Sequence, residues 1–149
     1  MRAGAAFLLI GVALAAVISN SLHTPTEHLR RRGEGVAKAM LVQHFRVVEY
    51  ATRHPDFVGS VTPALLNLPT WHRSEGGIST TVDATGRVTT TVSIPKQGAT
   101  EVARALQELS GFSEGTGLAH GGVVITPGRP PQLVPTAADL SPVITTRTR

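Results

Sequence analysis

Residues 3–22 form an uncharged, almost wholly apolar run near the start of this 149-residue chain. At about 1.5 Å of rise per residue, a helix through a hydrocarbon layer ~30 Å thick needs about 20 such residues, so the run is long enough for one crossing. A helix buried in a globular core normally keeps a polar face. Between Ala3 and Ile18 no face carries one. The reading adopted is an uncleaved transmembrane anchor over 1–22, followed by a basic juxtamembrane stalk over 23–35 that contains Arg30, Arg31 and Arg32. The alternative is a cleaved secretory signal. In it Arg2 is the positive n-region, Phe7 to Ile18 the h-region, and Ser19-Asn20-Ser21 or Ala13-Leu14-Ala15 the small-x-small site. The absence of cysteine excludes a lipoprotein, and neither Gly4 nor Gly11 is followed by the glutamate that type IV prepilin processing requires.

Orientation stays open at this level. Arg30, Arg31, Arg32 and Lys38 follow the run, and the positive-inside rule taken literally puts the body in the cytoplasm. Glu27 and Glu34 dilute that cluster, and translocation of a body this size need not obey the rule. The expectation carried forward is a bacterial inner-membrane protein, single-pass, with its body in the periplasm.

Beyond the anchor and stalk, 36–149 is enough chain for one small domain with a modest core. The formal charge of +4 invites a nucleic-acid reading, but the densest basic patch is juxtamembrane, where the usual partner is an anionic lipid headgroup. One Trp, one Tyr and four Phe are too few for a base-stacking platform, so no nucleic-acid partner is expected. Without cysteine there is neither a disulfide framework nor a thiolate metal site.

Thr24-Pro25-Thr26-Glu27 reads as a helix start with a capping box and proline at the first position. Met40, Val47 and Ala51 form one apolar stripe, and Ala37, Leu41, His44 and Val48 the next. Gly33 and Gly35 weaken the middle and suggest a hinge, and His54-Pro55 ends the helix. Thr62 to Leu66 reads as a single helical turn, and Leu65, Leu66, Leu68 and Trp71 as a lid folded back on the core. Ile78–Val82 and Arg87–Ile94, joined by Asp83-Ala84-Thr85-Gly86, form the clearest β-hairpin. Gln97 to Gly111 reads as a helix with Thr100 as its cap, Val102, Leu106 and Leu109 on one face, and Gly111 as its stop. Gly117 to Thr126 suggests a strand pair around Gly121-Gly122. From 127 the tail is proline-rich, which argues against a helix or a central strand and leaves Val143 to Thr145 as a short edge strand. The expected fold class is α+β: an N-terminal transmembrane helix, then a second, amphipathic helix packed on a small, mainly antiparallel sheet with one further helix.

The search for chemistry ends on binding. The six histidines are scattered with no helical i,i+4 pair, and His44 reads as a core-margin residue whose ring is satisfied locally. No Gly-x-Ser-x-Gly run occurs, and Gly33-Glu34-Gly35 and Gly115-Thr116-Gly117 lack the context of a phosphate loop. No catalytic, cofactor or metal residue is assigned, no cofactor or small-molecule substrate is expected, and the chain is not read as an enzyme. Three residues are singled out for a partner interface: Arg46, Tyr50 and Trp71. Arg46 and Tyr50 share a helix face, with Glu49 three residues beyond Arg46. Their bland alternative is an amphipathic border in which the arginine stem covers apolar neighbours, and for Trp71 a core anchor of its loop.

The stretch Val42-Gln43-His44-Phe45-Arg46-Val47-Val48-Glu49-Tyr50, the His54-Pro55 pair with Gly59, and Leu66-Asn67-Leu68-Pro69-Thr70-Trp71 resemble the PilM family of thin, type IVb pilus systems of conjugative plasmids and related mobile elements. The closest likeness runs from Val36 to Trp71, and the rest agrees in layout. These are structural motifs, and they bring no active site with them. The resemblance implies an inner-membrane accessory of pilus biogenesis, in the pilin transport apparatus or basal body, whose partners are other pilus-assembly proteins and inner-membrane lipid. The actin-like ATPase that shares the name is a different protein, whose nucleotide loops this chain lacks. An exported minor pilin-like or periplasmic subunit with a cleaved signal is the other reading of the same features.

Overall fold

The computed structural model describes residues 25–72, 77–111, 115–135 and 137–148. The apolar run over 3–22 and the capping residue Thr24 lie outside the described residues. Among the described residues no helix is long and apolar enough to cross a membrane.

The first described element is α1, Pro25–Arg53, a helix of 29 residues and about 43 Å at 1.5 Å per residue. Its buried positions include Val36, Ala37, Met40, Leu41, His44, Val47 and Ala51. They recur at the three- and four-residue spacing that places side chains on one face. The helix runs unbroken through Gly33 and Gly35, so the hinge expected there gives way to continuous helix. The two glycines do different things. A Cβ on Gly33 would lie 3.0 Å from the Cβ of Glu101, whereas one on Gly35 would meet nothing within 4 Å. Gly33 is therefore the point of close approach between the two helices. At the far end, the His54 amide donates to the Tyr50 carbonyl at 3.0 Å, and Pro55 forbids another turn.

After α1 the chain makes a two-residue strand, β1 (Gly59–Ser60), and a 3₁₀ turn (Pro63–Leu65). The hairpin β2 (Ile78–Val82) and β3 (Arg87–Val92) follows, in full register from Ile78↔Val92 to Val82↔Val88. Its turn is fixed by Asp83, whose carboxylate accepts from the Thr85 amide at 2.8 Å, the Thr85 hydroxyl at 2.6 Å and the Arg87 amide at 3.0 Å. Partial burial pushes this carboxyl's pKa up, but those hydrogen bonds and the nearby Arg87 charge outweigh it and hold the group below the usual range. Helix α2 is Lys96–Leu109. It opens on Pro95, so Thr100 lies inside the helix, exposed, and is not its cap. The preset φ of proline starts the helix one turn earlier than a threonine cap would. Ala99, Val102, Ala103, Ala105 and Leu106 are buried, whereas Leu109 is exposed. Gly111, at φ +58, ends the helix as expected.

Strands β4 (Gly115–His120) and β5 (Val123–Val124) are joined by Gly121 and Gly122 at φ +56 and +74, the mirror-image turn that only glycine-like residues accept readily. The short β6 (Gln132–Leu133) and β7 (Pro142–Arg147) complete the sheet. Its seven strands run in the order β1-β2-β3-β7-β4-β5-β6, every neighbouring pair antiparallel. The expected edge strand near the C-terminus is corrected: β7 is central, paired with β3 on one side and β4 on the other. Proline is compatible with this because Pro142 is the first residue of the strand, and the five that follow, Val143 to Arg147, are proline-free.

Both helices lie on one face of the sheet. Val36, Met40 and Leu41 of α1 join Val102 and Leu106 of α2 and Val92 and Ile144 of the sheet in one apolar cluster. Val47 and Ala51 join Val61, Leu66, Val82 and Val88 in a second. On the opposite face, Ala119, Val124, Val134 and Val143 form a smaller cluster where the 123–134 segment curls back over β4 and β7. The architecture is α+β as expected, with the amphipathic helix, the antiparallel sheet and the further helix all present.

Candidate functional site

The resemblance-bearing residues build one flank of α1 and the loop laid along it. On a helix turning about 100° per residue, Ala39, Arg46 and Tyr50 fall within about 40° of one another. The loop covers this flank at both ends. The His72 imidazole Nε2 lies 3.2 Å from the Ala39 carbonyl, and Phe57 meets the Tyr50 ring edge-on at 5.3 Å. Tyr50 also stacks on His54 at 4.3 Å, and the His54 Nδ1 lies 2.9 Å from the Tyr50 carbonyl. The His54-Pro55 pair thus has two roles: it stops the helix and it seats the Tyr50 ring.

The lid expected from Leu65, Leu66, Leu68 and Trp71 is half realised. Leu66 is buried to 3% exposure and Leu68 packs beside it. Leu65 and Trp71 point outward, at 63% and 59% exposure. The reading of Trp71 as the loop's core anchor is overturned, and Leu66 holds that role. The physical reason is local: the 3₁₀ turn carries Leu65 and Leu66 in opposite directions, and His72 rather than Trp71 reaches back to the helix.

Arg46 is partly exposed and pairs with Glu49 at 3.0 Å; Glu49 also takes Arg53 at 2.5 Å. Exposed pairs of this kind are worth ~0.2–1 kcal/mol at most. They set the direction of the arginine more than they hold the fold. Arg46, Tyr50 and Trp71 therefore sit on one side of the molecule, with Trp71 near the Ala39 level and Tyr50 about 16 Å further along the helix axis by its rise.

A second feature was only partly legible in the sequence. His44 is fully buried, with Nδ1 3.0 Å from the Thr90 hydroxyl and Nε2 2.9 Å from the Thr146 hydroxyl. Thr90 continues to Thr80 at 2.9 Å, and Gln43 donates to Thr80 at 3.1 Å. His44 is thus a central residue satisfied by partners 46 and 102 positions away, not a core-margin residue satisfied locally. Burial drives its pKa down from 6.5 to about 3, so the ring is neutral. A donor order from Gln43 through Thr80 and Thr90 to Nδ1, with Nε2–H donating to Thr146, uses each hydroxyl once and satisfies the whole line. The network welds α1 to three strands. Its Gln43, His44, Thr80 and Thr90 members are buried, and its Thr146 end is half-buried. The threonines of β2 and β3 were visible as strand formers, but only their register shows that two of them meet this helix.

Among the described residues no group of three or more His, Asp or Glu stands close enough together to hold a metal ion. The geometry is that of a small α+β domain that includes one long helix, with the His44 network committed to packing and Trp71 exposed. The chain belongs to the PilM family, whose model matches residues 7–146. Membership brings a pilus-related role and other pilus-assembly proteins as partners. No curated protein and no solved structure matches it.

Proposed function

We propose that this chain is a bitopic, single-pass inner-membrane accessory of type IV pilus assembly, in the pilin transport apparatus or basal body, that acts by binding and not by catalysis. The observation that carries the reading is the character of the described N-terminal end of α1: residues 27–32, which follow the apolar run in sequence, are all exposed. An exposed, basic helix end suits a stalk leaving a bilayer. Arg30, Arg31 and Arg32 on it suit anionic headgroups, at about 1 kcal/mol for each residue near the surface. The body is assigned to the periplasm. Its partner-facing flank is Arg46, Tyr50 and Trp71, of which exposed Trp71 is the strongest anchor by type.

The alternative, an exported pilin-like or periplasmic subunit, is favoured by Ser19-Asn20-Ser21, a small-x-small sequence just ahead of α1. Protease treatment of spheroplasts carrying a C-terminally tagged protein, with intact mass measured on the same sample, separates the two. Digestion of a full-length protein supports the anchored accessory. A mass lacking the residues up to about Ser21 selects the exported subunit, and protection of the body from protease rules out the periplasmic assignment. Trp71→Ala is expected to abolish piliation at unchanged protein level and to shift stability by no more than about 0.5 kcal/mol, as for an exposed site. Loss of the protein itself would return Trp71 to a structural role.

A further inference from the structure

The face of the sheet opposite the helices carries a polar cleft that the pilus-related reading does not use. Thr90 and Thr146 contact His44, so the even-numbered residues of β3 and β7 face the helices. By strand alternation the odd-numbered Arg87, Thr89, Thr145 and Arg147 face the other way. The Thr89 and Thr145 hydroxyls, 3.4 Å apart, bear this out. Arg87 and Arg147 are direct partners in the antiparallel register. They line a cleft of about 380 Å³ whose floor includes Gly115 and Thr145 and whose wall is Gln132 and Leu133. Arg87 donates from Nη1 to the Leu133 carbonyl and so ties the wall to the floor.

Two like charges directly opposite each other are unfavourable by several tenths of a kcal/mol, about the size of a favourable cross-strand pair. Among the described residues no carboxylate forms an ion pair with either arginine. Asp83 is close enough to feel the Arg87 charge, but one of its oxygens already accepts from Thr85 and from the Arg87 amide. Among the described residues the cleft therefore holds two positive charges without a paired carboxylate. Two guanidinium groups lining one cleft are suited to a carboxylate, which arginine binds through paired, charge-assisted hydrogen bonds.

We propose that this cleft is a docking site for an acidic segment of a partner protein, with Arg87 and Arg147 clamping its carboxylate. Charge complementarity selects the acid, and the rim selects a protein segment over a free anion. Leu133 on the wall is 65% exposed, and Pro131 lies beside it in the lining. A small ion gains nothing from apolar side chains at the lip, whereas a peptide covers them. The site lies across the sheet from the Arg46–Tyr50–Trp71 flank, so the two surfaces stand or fall separately.

The test uses the purified full chain in detergent and a fluorescein-labelled octapeptide of alternating glutamate and leucine, read by fluorescence polarisation. The expected result is saturable binding that weakens about tenfold or more when glutamine replaces glutamate, the equivalent of one lost charge-assisted contact. Arg147→Gln should weaken it by a similar factor without lowering the melting temperature, and the double variant R87Q/R147Q further. The control R30Q/R31Q, which changes the same net charge elsewhere, should leave binding unchanged. Equal loss in the control, or no loss in R147Q, would overturn the proposal as unspecific attraction. Inorganic phosphate that binds in an Arg147-dependent way while the peptide does not would assign the cleft to a small anion. A dimer abolished by R147Q with no peptide binding would assign it to a second copy of the chain.

Discussion

The two faces of the sheet are closed by different means. On the helix side, Val88, Val92 and Ile144 are covered by two helices, and even the polar side chains there, Gln43, His44, Thr80 and Thr90, are buried and paired. On the other side the proline-rich return over 123–134 packs on β4 and β7, and Arg87 lines a cleft. One strand, β3, serves both: Thr90 is locked against His44 while Arg87 lines a cleft. The difference shows where this small domain keeps its stability and where it has surface to spare for partners.

The largest effect expected from this contrast is acid lability. His44 has a folded pKa of about 3 because it is buried, against an ordinary 6.5. Above about pH 6.5 both folded and unfolded forms are neutral, and the stability is fully present. As pH falls toward 3 the unfolded chain takes up a proton that the folded ring refuses, so stability is lost at roughly 1.4 kcal/mol per pH unit. Urea unfolding at pH 7 and pH 4 should differ by roughly 3 kcal/mol from this group. His44→Gln should remove that slope while lowering stability at pH 7. An unchanged slope in the variant would mean that the helix face is not the closed one.

A smaller effect tests the other face. A Cβ on Gly117 would come within 3.0 Å of both the Ile125 carbonyl and Val124 Cγ2. Gly117→Val should therefore cost about 1–3 kcal/mol, as overpacking does. Hydrogen exchange should rise over 123–134 and stay unchanged in α1 and in β2 and β3. A rise in α1 of equal size would show the two faces to be one cooperative unit.

The smallest effect concerns the pair of helix glycines, where sign is the readout. Gly35→Ala enters open space and should stabilise by about 0.5–1 kcal/mol. Gly33→Ala carries the same propensity gain but meets Glu101 at 3.0 Å, so it should gain less or lose. Thermal melting of the two variants side by side decides it. An equal gain would mean that the helices do not close at Gly33.

Much of this was legible from local chemistry. His54-Pro55 ends α1, Asp83 to Gly86 turn the first hairpin, and Gly121-Gly122 turn the second, because prolines, glycines and turn carboxylates act on their own local backbone. The misreadings have separate causes. Thr100 was passed over because Pro95 starts α2 earlier. Trp71 resembles a core residue by type, yet the turn before it spends the buried position on Leu66. Proline content alone argued β7 to the edge, although only the first residue of that strand is proline.

The sequence by itself determined the element order, the α+β class, the apolar stripe of α1 and the resemblance that the family match bears out. Those properties depend on residue type and short spacing. Only the tertiary structure decided that β7 is central, that His44 is held by Thr90 and Thr146, and that Arg87 stands beside Arg147. Each of these depends on strand register between segments tens of residues apart, and no local propensity encodes that register.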